Sequence, residues 1–309
     1  MKNNGLLGKT GLFLTAIIWG SGFTFSTLAL QHFTTLQVIA MRFTIAFVAL
    51  LIMNINRLKR IRRKDLLQGS AIGVVLFISY VLQTLGLEFT TTSKNSFLSA
   101  VYVVLVPFLA WVFGRQKISK NALLGAIITL IGIQLTTISG LHSEMGLNLG
   151  DILTLISAVG FAGHILLTER YAKNMATWML LIIQMGVAAG LSWIAALILG
   201  EGVFQITMEG MLPVLYIGLV ATLVSYGLQT VSQKYTTSGE SAVILSTESF
   251  FGLLTAAVIL KEPMLWNMIV GGIVIFIGIL VVELKPLKES STDIQQSYQR
   301  TSATNSNEA

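Results

Sequence analysis

Apolar residues run along this chain in long unbroken blocks separated by short polar or basic connections, not in the alternations of a water-soluble fold. The blocks lie at 11–30, 35–55, 66–87, 93–113, 121–138, 149–168, 177–198, 210–230, 240–260 and 265–284. Each of the ten is roughly 18 to 22 residues, enough to cross a hydrocarbon core of about 30 Å. Hydrocarbon offers the backbone no hydrogen-bond partner, so such blocks must be helices, which satisfy their own amides. The pattern predicts an all-α integral membrane protein.

One stretch occurs twice. Ser79-Tyr80-x-Leu82-Gln83-Thr84 recurs as Ser225-Tyr226-x-Leu228-Gln229-Thr230. The same gapless offset pairs Thr90-Thr91 with Thr236-Thr237, Asn121 with Asn267, Gly125 with Gly271, and Ile131-Gly132-Ile133 with Ile277-Gly278-Ile279. Each copy belongs to a half of five apolar blocks, and an odd number of crossings turns the second half over. The expected architecture is ten transmembrane helices as two inverted five-helix repeats, 11–138 and 149–285. A short cytoplasmic N-terminus (1–10) precedes them and a disordered cytoplasmic tail (286–309), rich in Ser, Thr, Gln and Asn, follows. Inverted repeats characterise transporters that bind substrate near the midplane between halves.

Charge then fixes orientation. Only 11% of residues are charged, against about 25% in soluble domains. With both termini in the cytoplasm, the inner side receives Lys2, Lys9, the cluster from Arg57 to Lys64, Arg115, Lys117, Lys120, Arg170, Lys173, Lys234, Lys285 and Lys288. The outer side receives Lys94 and Lys261. This positive-inside bias predicts a multi-pass protein of the cell membrane. It also accounts for the net charge of +6 without nucleic acid, and the Arg57–Lys64 cluster reads as an anchor on anionic lipid. The N-terminal block resembles a signal peptide, but its loss would leave one half a crossing short, so it reads as a retained helix. The chain has no cysteine, which excludes disulfides, cysteine-held metals and thiol catalysis.

Candidate chemistry sits on the polar residues inside the blocks. Glu248 alone among fourteen carboxylates falls deep in a predicted span. A charge there costs roughly 2.5–3.5 kcal/mol, so it should face a cavity or a partner. It is a proton-coupling or cation-recognising candidate, weighed against a protonated glutamate that only holds helices together. In each repeated motif Ser and Gln share one helix face, as do Tyr and Thr. Tyr80, Gln83, Tyr226 and Gln229 are therefore cavity-lining candidates, with interhelical hydrogen bonding as the alternative. Trp19 lies away from the interfacial aromatic belts and offers either a flat wall for substrate or core filling. Tyr102 is the repeat counterpart of Glu248, and Asn95, Ser96 and Ser99 extend its polar path. His164 is a second proton-coupling candidate, although a hydrogen-bonded core histidine is the more ordinary reading. With no second ligand at suitable spacing, no metal is expected. Arg42 could neutralise a buried acid or snorkel outward along its stem, and reads as structural. Gly69 with Gly73, and Gly186 with Gly190, have spacings that allow close helix approach.

The chain resembles the drug/metabolite transporter superfamily, specifically its EamA type. Trp19-Gly20-x-x-Phe23, Ala40-x-Arg42-Phe43, Thr90-Thr91-x-Ser93-Lys94-Asn95 running into Tyr102-Val103-Val104-x-Val106-Pro107, and the glycine-spaced Gly125 to Gly132 resemble its first-half motifs. His164 with Glu169-Arg170-Tyr171-Ala172, Glu248, and Lys261-Glu262-Pro263 resemble those of the second half. Ser249 departs from the proline often found after that glutamate, and Gly114-Arg115-Gln116 replaces an acidic turn.

The resemblance implies a permease: a secondary transporter moving a small metabolite, such as an amino acid or related amphipathic compound, by alternating access, with export the implied direction. Proton coupling would rest on Glu248 and His164. The absence of a P-loop argues against ATP-driven transport by this chain. Multidrug or quaternary-cation efflux is the alternative within transport, and a membrane scaffold the alternative outside it. No catalytic constellation is evident, so no enzyme activity and no cofactor are expected. The expected partners are a small-molecule substrate and the lipid bilayer. The chain fixes no oligomeric state, and a monomer is compatible with it.

Overall fold

A computed structural model describes residues 2–113, 120–137, 147–202 and 206–283. The tail at 286–309 and the Gly114-Arg115-Gln116 turn lie outside the described residues. Every described element is helical: α1 (Lys2–Leu30), α2 (Thr35–Asn54), α3 (Arg63–Leu87), α4 (Thr92–Ser99), α5 (Tyr102–Val112) and α6 (Lys120–Thr137) come first. They are followed by α7 (Leu149–Ala172), α8 (Thr177–Ile198), α9 (Met208–Leu215), α10 (Ser225–Ser232), α11 (Ser238–Ser246), α12 (Glu248–Thr255) and α13 (Trp266–Glu283). A π-helical stretch, Tyr216–Val224, joins α9 to α10, and a second, Ala256–Leu260, continues α12.

Eight helical stretches are long and apolar enough to cross a bilayer: Gly5–Leu30, Thr35–Leu58, Arg63–Leu87, Thr92–Val112, Leu149–Ala172, Thr177–Ile198, Met208–Ser232 and Ser238–Leu260. The blocks at 121–138 and 265–284 contain shorter apolar helices, Leu123–Leu135 and Trp266–Val281. Helix α1 begins at Lys2, inside the segment expected as a separate N-terminus. Large apolar side chains such as Leu130, Ile198 and Val258 face outward, whereas Gln184, Gln229, Asn95 and Thr154 are fully buried. That polarity suits a lipid environment, where apolar surface needs no cover and polar groups do.

Local chemistry sets the helix ends. Thr34 with Gln37, Asn148 with Asp151, and Thr237 with Glu240 form capping boxes at α2, α7 and α11. In each, two amides left open at a helix start are satisfied reciprocally.

Two spans are broken, and the breaks fall at equivalent places in the repeat. The first separates α4 from α5 at Ala100-Val101; the second separates α11 from α12 at Thr247. Around the first, Val101 N–H bonds Leu98 C=O (3.3 Å) and Val104 N–H bonds Val101 C=O (2.9 Å), a tighter i−3 pattern. Pro107 lacks the amide that would bond Val103 C=O, which weakens the same turn. Around the second, the Ser246 and Thr247 hydroxyls donate to the carbonyls of Val243 and Ile244, each at 2.7 Å. Hydroxyls bonding the preceding turn bend helices. Each break is followed immediately by a residue singled out above: Tyr102 opens α5 and Glu248 opens α12.

The two parts of the chain interdigitate. Helix α3 packs on α7 and α8, α2 on α8, α1 on α10 and α12, and α6 on α13. Small residues permit the closest approaches. A Cβ at Gly20 would stand 2.7 Å from Glu248 C=O and 2.9 Å from Gly252 N, so α1 meets the backbone of α12 directly at the start of that helix. Gly69 and Gly73 likewise abut Ile183 and Gln184 of α8, and Gly186 abuts Phe47. A Cβ at Gly190 would meet nothing within 4 Å, so close approach does not require a glycine there as it does at Gly186.

Candidate functional site

A narrow cavity lies where α1, α2, α3, α5, α7, α10 and α12 converge. All eight candidate residues line it: Trp19, Tyr80, Gln83, Tyr102, His164, Tyr226, Gln229 and Glu248. Its free volume is about 40 Å³, room for a few water molecules.

The duplicated tyrosines meet at its centre. Tyr226 O–H donates to Tyr80 Oη at 3.0 Å, joining the two copies of the motif side chain to side chain. Around this pair stand aromatic walls. Trp19 lies 5.0 Å from the Tyr226 ring, and Phe161 and Phe43 meet Tyr80 edge-on at 5.2 and 5.3 Å. Trp19 is fixed by its indole N–H, which donates to Ala221 C=O at 3.1 Å, inside the π-helical stretch. His164 meets Tyr226 edge-on at 5.5 Å, and its Nε2 is 3.1 Å from Gln184 Oε1.

The two glutamines are held differently. Gln83 donates to Ser99 Oγ at 2.9 Å, bridging α3 to α4. Gln229, fully buried, has no partner for either amide atom. A buried amide without partners is costly and is normally completed by water or a ligand. Glu248 is 4% exposed and stands against the Tyr102 phenol, although the two do not reach hydrogen-bonding geometry. Glu248 directly follows the tight, still right-handed turn at Thr247, where α11 passes into α12.

Two features were not anticipated. Arg42 does not snorkel: it is 4% exposed and lines the cavity. Its Nε donates to Thr222 Oγ1 at 3.1 Å, Nη2 to Tyr80 Oη at 3.4 Å, and the guanidinium lies 4.2 Å from the Tyr80 ring centroid. The π-helical stretch sets up that contact, since the Thr222 hydroxyl donates in turn to Ile217 C=O, five residues back. Such π-turns often mark functional positions. Away from the cavity, Lys94 and Asp151 form a buried ion pair at 2.5 Å between α4 and α7. Thr90 Oγ1 and the Asn148 amide also donate to that carboxylate. Nearby, Glu262 accepts from Thr92 N–H, Ser93 N–H and Ser93 O–H, tying the start of α4 to the segment before α13. Paired charges at block edges give no apolar-pattern signal; the proximity of Lys94 and Asp151 is a tertiary fact.

A vestibule of about 900 Å³ opens at the end of the molecule that carries the α1–α2 turn, lined by Thr27, His32, Gln37, Val81, Leu87 and Glu201 among others. Leu87 borders both vestibule and cavity. A pocket at the opposite end, beside Leu166, Glu169 and Ser238, shares no lining residue with the cavity. Among the described residues no group of His, Asp and Glu is arranged to hold a metal.

The sequence model of the EamA-like transporter family matches residues 6–138 and again 148–284. The chain belongs to that family. The EamA-like transporters form part of the drug/metabolite transporter superfamily. An uncharacterized transporter of Archaeoglobus fulgidus is 30% identical over 280 residues, covering 91% of this chain and 87% of its own. The uncharacterized transporter YetK of Bacillus subtilis is 23% identical over 280 residues, covering 87% and 84%. A solved structure described only as the crystal structure of a protein superposes with a TM-score of 0.68 at 16% identity, over 92% of this chain and 97% of that one. At that identity the likeness speaks for the fold alone. The protein is a multi-pass membrane protein with a role in transport, and its relatives are transporters rather than enzymes.

Proposed function

We propose that this EamA-like transporter is a secondary carrier that moves a small amphipathic metabolite, of amino-acid class, by alternating access around the central cavity. The reading rests on one observation: the tyrosines of both motif copies and Glu248 converge in a single cavity at two mid-span helix breaks. Ten crossings in two inverted halves, 11–138 and 149–285, are part of the proposal. The doubled family match and the equivalent breaks support it. On this topology α6 and α13 complete the halves as short, closely packed spans.

A cavity of about 40 Å³ is far below the roughly 300–1,000 Å³ of ordinary ligand pockets. The helices must part to admit a solute, and Leu87 is where the vestibule would join the cavity. With termini in the cytoplasm, that vestibule faces outward. Glu248 exchanges protons with the solute's passage, His164 assists, and export is the working direction. The Arg42 guanidinium in the same cavity works against quaternary-cation efflux.

The test is purified protein in liposomes, with solute flux and internal pH followed across amino acids and organic cations, Glu248→Gln beside wild type. Substrate-evoked proton movement in wild type, lost in the variant, is expected. Solute flux without proton movement, unchanged in the variant, removes Glu248 from the coupling; absence of any flux overturns the carrier reading.

A further inference from the structure

We infer that Arg42 is the anion-recognition group of the cavity, so that the solute it takes carries a carboxylate. The inference deepens the proposed carrier function and rests on it for the word solute, though not for the binding.

Two fully cationic side chains are buried among the described residues, Lys94 and Arg42. Lys94 is paired with Asp151. Arg42 belongs to no ion pair: those among the described residues join Lys9 to Glu240, Lys94 to Asp151 and Lys173 to Glu169. Arginine cannot shed its charge in a protein, and a buried charge without a counter-ion is strongly disfavoured. Its partners are a hydroxyl, a phenol and an aromatic face, all neutral. Its hydrogen bonds run through Nε and Nη2, and the group lines the cavity. A guanidinium fixed through Nε and Nη2, with donor capacity left over, is built for a carboxylate.

The surroundings define the rest of the solute. Tyr226 lies in electrostatic reach of both Arg42 and Glu248, and those two residues do not pair with each other. A zwitterion could therefore set its carboxylate on Arg42 and its amine toward Glu248. Trp19, Phe161 and the paired tyrosines would cover an apolar body.

The experiment needs no transport. Thermal unfolding of the purified full chain in detergent is followed in sodium formate, which is small enough for the cavity as it stands, against formamide and sodium chloride at equal ionic strength. L-phenylalanine is compared with L-phenylalaninamide in the same way. The expected result is a saturable rise in unfolding temperature with formate and phenylalanine, absent with the amides. Arg42→Gln should weaken the acids roughly tenfold or more, with Arg42→Lys between. If Arg42→Gln does not fold, the acid-against-amide comparison on wild type decides. Equal response to acids and amides, no response to any acid, or unchanged acid binding in Arg42→Gln overturns the inference. Acid binding without flux in liposomes would sink the carrier reading and leave this one standing.

Discussion

The two copies of the repeated motif carry the same residues into different surroundings. Around the first, on α3, most polar side chains have a partner, with Asn95 Oδ1 and Tyr102 Oη the exceptions: Gln83 bonds Ser99, Asn95 Nδ2 bonds Thr154, and Lys94 pairs with Asp151. Around the second, on α10, Gln229 and Thr230 lack partners, as do Gln184 Nε2, Thr168 Oγ1 and Gln233 Oε1 close by. Only the serines behave alike, Ser79 and Ser225 each bonding the carbonyl four residues back. Duplicated sequence therefore does not mean duplicated role. One copy is locked into the scaffold, and the other leaves polar atoms open for water, solute or a second conformation.

The largest break in this comparison should come from the locked side. Asp151→Asn strands a buried ammonium and should cost about 3–5 kcal/mol, measured by denaturation in micelles. Gln83→Leu orphans the Ser99 hydroxyl and should cost about 1–3 kcal/mol. At the junction of the copies, Tyr80→Phe removes the acceptor of two bonds and Tyr226→Phe the donor of one. Their losses should be about 1–2 and about 1 kcal/mol, and a double-mutant cycle should show that they couple. The smallest stability change is expected on the open side. Gln229→Leu replaces two unpartnered polar atoms and should leave stability within about 0.5 kcal/mol of wild type, or raise it, while reducing flux. Equal losses for Gln83→Leu and Gln229→Leu would erase the distinction between the copies.

How much of this was legible in the sequence depends on which force set each feature. Membrane class follows from block length alone, because the bilayer imposes it. The number of spans does not: eight stretches meet the required length, while the blocks at 121–138 and 265–284 give shorter helices. The meeting of Tyr80 with Tyr226, and the equivalent placing of Tyr102 and Glu248, could be sought because the repeat offset pairs them. The helix breaks could not, since hydroxyl bonds to a preceding carbonyl look no different in sequence from ordinary Ser and Thr. Arg42 escaped for another reason. A long side chain near a span end can reach water or turn inward, and Thr222 on a π-turn from the other half decided the matter.

The proposed carrier has one cavity served by two gates, and the sequence offset between the motif copies suggests a residue for each. Leu87 borders the vestibule, and the same offset makes Gln233 its counterpart at the opposite end. The chain has no cysteine, so Leu87→Cys and Gln233→Cys each carry a single reporter. A membrane-impermeant thiol reagent applied from each side of proteoliposomes, with and without a transported solute, reads both gates. Alternating access predicts that Leu87→Cys reacts from outside and Gln233→Cys from inside, and that solute shifts the two rates in opposite directions. Both positions reacting from one side, or opening together whatever the solute, would contradict it.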